Sequence, residues 1–295
     1  MTRAPATVVL CSRDRPDQLA AALPGVRAAL GPEDRALVVD SASAGPATRE
    51  VAEAAGFEVI RAGRPGLSHA RNVGLAHAST PIVAFTDDDC SPDPGWLGAI
   101  GAHFEDPAVG FVTGRVGSTA GGGGGNSVLD RPTAERYAAP RDPAGIGHGA
   151  NMAYRARALE HVGPFDEQLG AGGPLRSGED ADMLYRVLAA GWHGVYEPGA
   201  LVTHDQWRDE KATLRLRHGY GLGNGAYRAK ILRSAGRRGA RMIAHPVYRD
   251  SLESLYWAMR ARSGSRIARE LAWISGFCIG LVRGLRAPME GPNLR

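Results

Sequence analysis

Three consecutive carboxylates, Asp87, Asp88 and Asp89, end an apolar run in PIVAFTDDDCSPDPGWL. Like charges this close raise one another's pKa unless a positive group or water sits among them. Two readings are open: a solvated turn, helped by the SPDP that follows, or a site for a hard cation with oxygen ligands. A second acidic group stands in SGEDADMLYRVL, where Glu179 and Asp180 precede Met183, Leu184, Val187 and Leu188 at helical spacing. Ser177 with Asp180 three residues on resembles a capping box, and acids in a first helical turn meet the dipole favourably.

The elements that must position these groups follow from periodicity. Short apolar runs at residues 7–10, 36–39, 58–60 and 81–85 read as strands. Helix-like stretches separate them at 17–30, interrupted by Pro24 and Gly25, at 48–55, and at 68–78 with Ser68 as N-cap. Strands alternating with helices predict an α/β fold: a mostly parallel central sheet with helices on both faces. Ligands of such sheets bind beyond the carboxyl ends of the strands. Three strands end there in polar clusters, Ser12-Arg13-Asp14, Asp40-Ser41 and the triple aspartate. Residues 109–116 form a further strand, and GSTAGGGGGNS follows. That run lacks the Lys and Ser/Thr of a phosphate-binding P-loop, so residues 117–147 read as a mobile loop.

Charge divides the chain of 295 residues. Residues 1–205 carry 17 Lys+Arg against 25 Asp+Glu, a net −8, whereas residues 206–295 carry 18 against 6, a net +12. This predicts one large domain, 1–205, and a basic helical C-terminal extension, 206–295, facing an anionic substrate or surface. In the last helix Ile267, Leu271, Ile274, Cys278, Leu281 and Leu285 repeat in steps of four and three, flanked by arginines. Such a seam packs on its own domain or a second subunit, as in a homodimer; a basic amphipathic helix lying on a membrane, with Trp273 and Phe277 at its surface, is the other reading. Cys11, Cys90 and Cys278 are odd in number and widely spaced, which suits a reducing compartment. The N-terminal apolar run is too short for a signal peptide, and no stretch approaches twenty apolar residues. The expected location is cytoplasmic, with peripheral contact at the inner membrane face left open.

Three separated motif groups resemble glycosyltransferase family 2, inverting enzymes of the GT-A fold. They are VVLCSRDRPDQL with ALVVDSAS; GLSHARNVGLAHASTPIVAFTDDDCSPDPGWL; and GANMAYRARALEHVGPFDEQLG through GEDADMLYRVLAAGW to YEPGALVTH. The resemblance spans nearly all of residues 7–204. It implies transfer of a sugar from a nucleotide-diphosphate donor of UDP, dTDP or GDP type to an acceptor hydroxyl, the acceptor being anionic or lipid-linked if the basic extension meets it.

By position, Asp89 is implied as the ligand of Mg²⁺ or Mn²⁺, Asp87 and Asp88 as groups near metal or ribose, and His204 as a further metal ligand. Hard oxygen donors suit those ions, which bridge a diphosphate to an acidic site. Asp40 is implied at the nucleobase and Arg71 at the base or diphosphate. Cys11 and Arg13 fall on nucleotide-contacting positions where the family more often has Thr and Tyr or Asn. Asp180 aligns with the catalytic base and Glu179 with its acidic neighbour. A retaining enzyme of the same fold and a non-catalytic nucleotide- or carbohydrate-binding protein are the other readings. A sugar nucleotidyltransferase is disfavoured, since CSRDRPDQL carries no glycine-rich phosphate loop.

Overall fold

A strand buried on both faces has to be apolar at successive positions, and Ala6–Ser12 (β1, ATVVLCS) is buried at every residue but Cys11. The computed structural model of the chain describes residues 3–118, 128–205 and 210–295. Two compact units divide it: 1–140, 145–164 and 186–206 form one, and 141–144, 165–185 and 207–295 the other. The second unit thus combines 207–295 with two segments, 141–144 and 165–185, from within the stretch read as the first domain.

In the first unit β1 is followed by α1 (Pro16–Ala29), β2 (Arg35–Asp40), α2 (Ala47–Ala54), β3 (Glu58–Arg61), α3 (Leu67–His77) and β4 (Ile82–Asp87). Then come β5 (Cys90–Pro92), α4 (Trp96–His103), β6 (Val109–Ser118), β7 (Glu135–Tyr137), β8 (Met152–Arg155) and α5 (Ala156–Val162). α6 (Glu179–Ala189) crosses the division between Tyr185 and Arg186, and β9 (His193–His204) completes the sheet. The order is β3-β2-β1-β4-β8-β6-β9-β5, with β7 also on β9. The β3-β2-β1-β4 half is parallel, as is β6–β9; β8, β5 and β7 run antiparallel to their neighbours. The mostly parallel, helix-covered sheet expected from the sequence is present, with an antiparallel minority that short strands between polar loops did not reveal.

Local chemistry sets the element ends. Pro16 opens α1, where its missing N–H costs nothing. Pro24 does not interrupt that helix, which runs through to Ala29. Ser68 is not the N-cap of α3: it is buried inside the helix, and Gly66, at φ +135°, holds the cap position.

The second unit carries α7 (Glu210–Tyr248), broken at Gly236 where φ is +50°, a π-helical turn (Arg249–Glu253), α8 (Ser254–Arg260), α9 (Gly264–Arg286) and a hairpin, β10 (Met289–Glu290) with β11 (Asn293–Leu294). The face by which α9 packs on α7 is not the apolar seam. It is a row of glycines: a Cβ on Gly276 would lie 2.1 Å from His218 O, and one on Gly280 1.9 Å from Leu222 O. From the other side, Gly221 and Gly225 meet the carbonyls of Trp273 and Phe277 as closely. Backbones can approach this far only where no side chain intervenes. Trp273 and Phe277, which only the membrane reading placed at a surface, are buried and stacked with ring centroids 5.2 Å apart. Leu271, Cys278 and Leu285 of the seam are exposed instead.

Buried ion pairs tie this unit together. Lys230 Nζ lies 2.7 Å from both Asp166 and Asp182, and Asp166 also accepts the backbone N–H of Leu294. Arg228 spans Asp142 and Asp250 at 2.7 and 3.1 Å. Among the described residues no helix is long and apolar enough to cross a membrane. The glycine run Gly121–Gly125, read from sequence as part of a mobile loop, lies outside the described residues.

Candidate active site

Register aligns the polar strand tips. Across the parallel pairs, Ser12 stands opposite Asp40 and Cys11 opposite Asp87, so the ends of β2, β1 and β4 lie on one edge of the sheet. Asp88 and Asp89 form the turn from β4 into β5, and in the antiparallel β5–β9 pair Cys90 faces His204. A backbone bond from Asp205 N to Asp89 O, 2.9 Å, fixes the turn against the end of β9. Residues far apart in sequence are thereby brought together: Cys11, Arg71, Asp87, Asp88, Asp89 and His204.

The carboxylates are held by two guanidinium groups. Arg15 Nη1 lies 2.9 Å from Asp88 Oδ1 and 3.3 Å from Asp89 Oδ2. Arg71 is buried, and its Nη2 donates to Asp87 Oδ1 at 3.3 Å and to Gly149 O at 3.2 Å. Burial pushes the Asp88 carboxyl up to about 6; Arg15 works the other way, and the like charges of Asp89 and Asp87 add to the rise. Burial likewise pushes the Cys11 thiol up to about 12 against the pull of Arg71.

Asp89, Cys90 and His204 are buried and offer a carboxylate oxygen, a sulfur and an imidazole nitrogen, all within 4.8 Å of one another. The Cys90 thiol is driven well above its ordinary value by burial, with Asp87 and Asp89 adding to it. An oxygen of Asp89 and a nitrogen of His204 would suit Mn²⁺ or Mg²⁺ completed by oxygens of a ligand.

Two expected residues are placed less simply. Arg13 is exposed and pairs with the neighbouring Asp14 at 3.4 Å. Asp40 is buried, with Oδ1 accepting from Ser43 N at 2.8 Å and Oδ2 from Arg61, so a nucleobase would share a carboxylate that is already bonded on both oxygens. Arg15 was missed by the sequence reading; the available signal was a second arginine in CSRDRP, two residues beyond Arg13. Cys90 was missed as well, although it directly follows the triple aspartate.

Glu179 and Asp180 open α6 in the second unit. Glu179 is buried and Asp180 half-buried, with Asp180 Oδ1 accepting from Ala181 N at 2.7 Å. The expected capping box does not form as read: Ser177 Oγ donates to Gly219 O at 3.0 Å and to Tyr220 O at 3.3 Å, anchoring the turn before α6 on α7. Gly178, at φ +88°, lies against Gly223 O, where a Cβ would be 2.9 Å away.

The sequence profile described as glycosyl transferase family 2 matches residues 7–163. The chain belongs to glycosyl transferase family 2. Over 181 residues this family 2 chain is 35% identical to a pre-mycofactocin glycosyltransferase of Mycobacterium tuberculosis H37Rv, in a match covering 58% of this chain and 37% of that protein. The chain therefore spans well under half the length of that relative. It is also 35% identical over 180 residues to an uncharacterized glycosyltransferase of Mycobacterium bovis, covering 59% of this chain and 76% of the other.

Among solved structures, it is similar to the mannosyltransferase PcManGT from Pyrobaculum calidifontis in complex with GDP-Man and Mn²⁺, with a TM-score of 0.64 at 18% identity over 97% of this chain and 88% of that one. S. aureus TarS 1-349 matches with a TM-score of 0.56 at 13% identity over 92% of each chain. At such identities the likeness is one of fold, and the fold of this family 2 chain is GT-A.

Proposed function

We propose that this chain is a metal-dependent glycosyltransferase that moves a sugar from a nucleoside-diphosphate donor to an acceptor hydroxyl with inversion at the anomeric carbon. The observation that carries the reading is the buried Asp89–His204 donor pair at the strand tips, flanked by Asp88, Arg15 and Arg71. A divalent ion held there would neutralise the diphosphate as a leaving group. The arginines supply further positive charge for the same oxygens, and Asp40 and Asp87 serve the base and ribose. That PcManGT was solved with GDP-Man and Mn²⁺ supports a donor of this class and an ion of this type.

In this reading Asp180 is the general base. It takes the proton of the acceptor hydroxyl as that oxygen bonds to the anomeric carbon and the bond to the diphosphate breaks on the opposite face. Glu179 positions the acceptor. Support comes from the placement of both acids in the GED motif at the start of α6.

The test is turnover and product configuration. Once a donor is found, Asp180→Asn is expected to lower kcat by at least about a hundredfold while donor binding persists, in line with the usual worth of a general base. The wild-type product, examined by NMR, should have the anomeric configuration opposite to the donor's. Full turnover by Asp180→Asn, or retention, would overturn the assignment.

A further inference from the structure

Because α9 turns its glycine face to α7, its apolar stripe is left uncovered. Leu271, Ile279, Val282 and Leu285 are between 40% and 52% exposed. The other arm of the same helical hairpin carries a second stripe, Tyr248, Leu252, Tyr256 and Met259, spaced by four, four and three. With Trp257 beside Tyr256, these side chains are between 55% and 61% exposed. Singly exposed apolar residues need no explanation, but two helical stripes of them on joined helices mark an interaction surface.

Charge selects the occupant. Between residues 248 and 288 the chain has seven arginines, Arg249, Arg260, Arg262, Arg266, Arg269, Arg283 and Arg286, and three acids, Asp250, Glu253 and Glu270, of which Asp250 is paired with Arg228 and Arg249. Glu270 is itself paired with Arg217 at 3.0 Å. A second copy of the chain would set arginine rims of like charge against each other. An anionic bilayer attracts them, accepts the aliphatic stripes below its headgroups and favours tyrosine and tryptophan at that level.

We propose that the α8–α9 hairpin with the π-helical turn before it docks this protein in the plane of an anionic lipid bilayer, the two apolar stripes entering the headgroup region between arginines. The inference is independent of which sugar is transferred.

Vesicle co-sedimentation of the full chain tests it, using phosphatidylcholine alone and phosphatidylcholine mixed with phosphatidylglycerol, at low and high salt. Partition is expected into the phosphatidylglycerol vesicles only, weakening with salt. Two double variants at exposed positions, Leu252→Ser with Trp257→Ser and Leu271→Ser with Leu285→Ser, should each lower it about tenfold or more while circular dichroism and thermal melting stay unchanged. Equal binding to neutral vesicles, or wild-type partition by both variants, overturns the proposal. So does absence of binding to any vesicle, which would leave the stripes to a protein partner. A dimer in light scattering that the same substitutions dissolve would assign them to a second copy.

Discussion

His204 Nε2 lies 3.4 Å from Asp89 Oδ1, the two side chains converging from the end of β9 and the turn after β4. Neither residue could reach the other without the antiparallel β5–β9 pairing that sets Cys90 opposite His204. If the pair holds the ion, His204→Ala removes its one nitrogen donor, and Mn²⁺ affinity measured by calorimetry should fall by about tenfold or more. Unchanged affinity would show that His204 only packs.

Asp34 gives a pH-dependent signature remote from that site. Burial would raise its pKa, but hydrogen bonds from Arg3, Ala6 N and Gly31 N outweigh burial and hold the carboxyl below its ordinary value. A depressed folded-state pKa means the stabilisation is present above the unfolded value, about 3.9, and is lost as pH falls through the folded one. Asp34→Asn should therefore cost about 1–3 kcal/mol in urea unfolding at neutral pH. The gap from wild type should stay level down to about pH 5 and close in more acid solution.

Two glycine substitutions should act with opposite sign. Nothing lies within 4 Å of a Cβ built on Gly98 in α4, so Gly98→Ala is expected to gain about 0.5–1 kcal/mol of stability by restricting the unfolded chain. In Gly280→Ala the same methyl would meet Leu222 O at 1.9 Å, so α9 must move off α7, at a cost of about 1–3 kcal/mol or more. Thermal melts of the two variants against wild type check the pair, and a stabilised Gly280→Ala would contradict the close helix crossing.

Lys230 stands between two buried carboxylates, one of them Asp182 in the first turn of α6. Lys230→Met leaves Asp166 and Asp182 without their shared cation and should destabilise the second unit by about 3–5 kcal/mol. Hydrogen exchange should show the loss first in α6 and α7. Because Asp180 lies on the same turn, turnover should fall in this variant even below its melting temperature.

Much of this was legible in the sequence. β1, β2 and β4 were readable because a strand buried on both faces has to be a continuous apolar run, and their polar tips pointed to one sheet edge. The triple aspartate, His204 and Arg71 were singled out, and they do meet. Which arginine of CSRDRP turns to the aspartates was not readable, since Arg13 and Arg15 differ only in the direction the loop gives them. The face by which α9 meets α7 was not readable for a physical reason: hydrophobic periodicity finds side chains, whereas this contact is made by the absence of side chains at Gly276 and Gly280. Ser177 and Ser68 were read as helix caps because a local pattern carries no information about the carbonyls of α7 or the backbone of Gly66.

The central claim is that Asp89 and His204 hold a divalent ion for a nucleoside diphosphate. Thermal shift on the wild-type chain and Asp89→Asn, with UDP, dTDP and GDP each with and without Mn²⁺, tests it most directly, because a ligand that binds only the folded state raises its melting temperature. The account predicts a rise for at least one nucleotide when Mn²⁺ is present, little without the metal, and none in Asp89→Asn. No shift with any nucleotide and metal, or an equal shift in the variant, would contradict it.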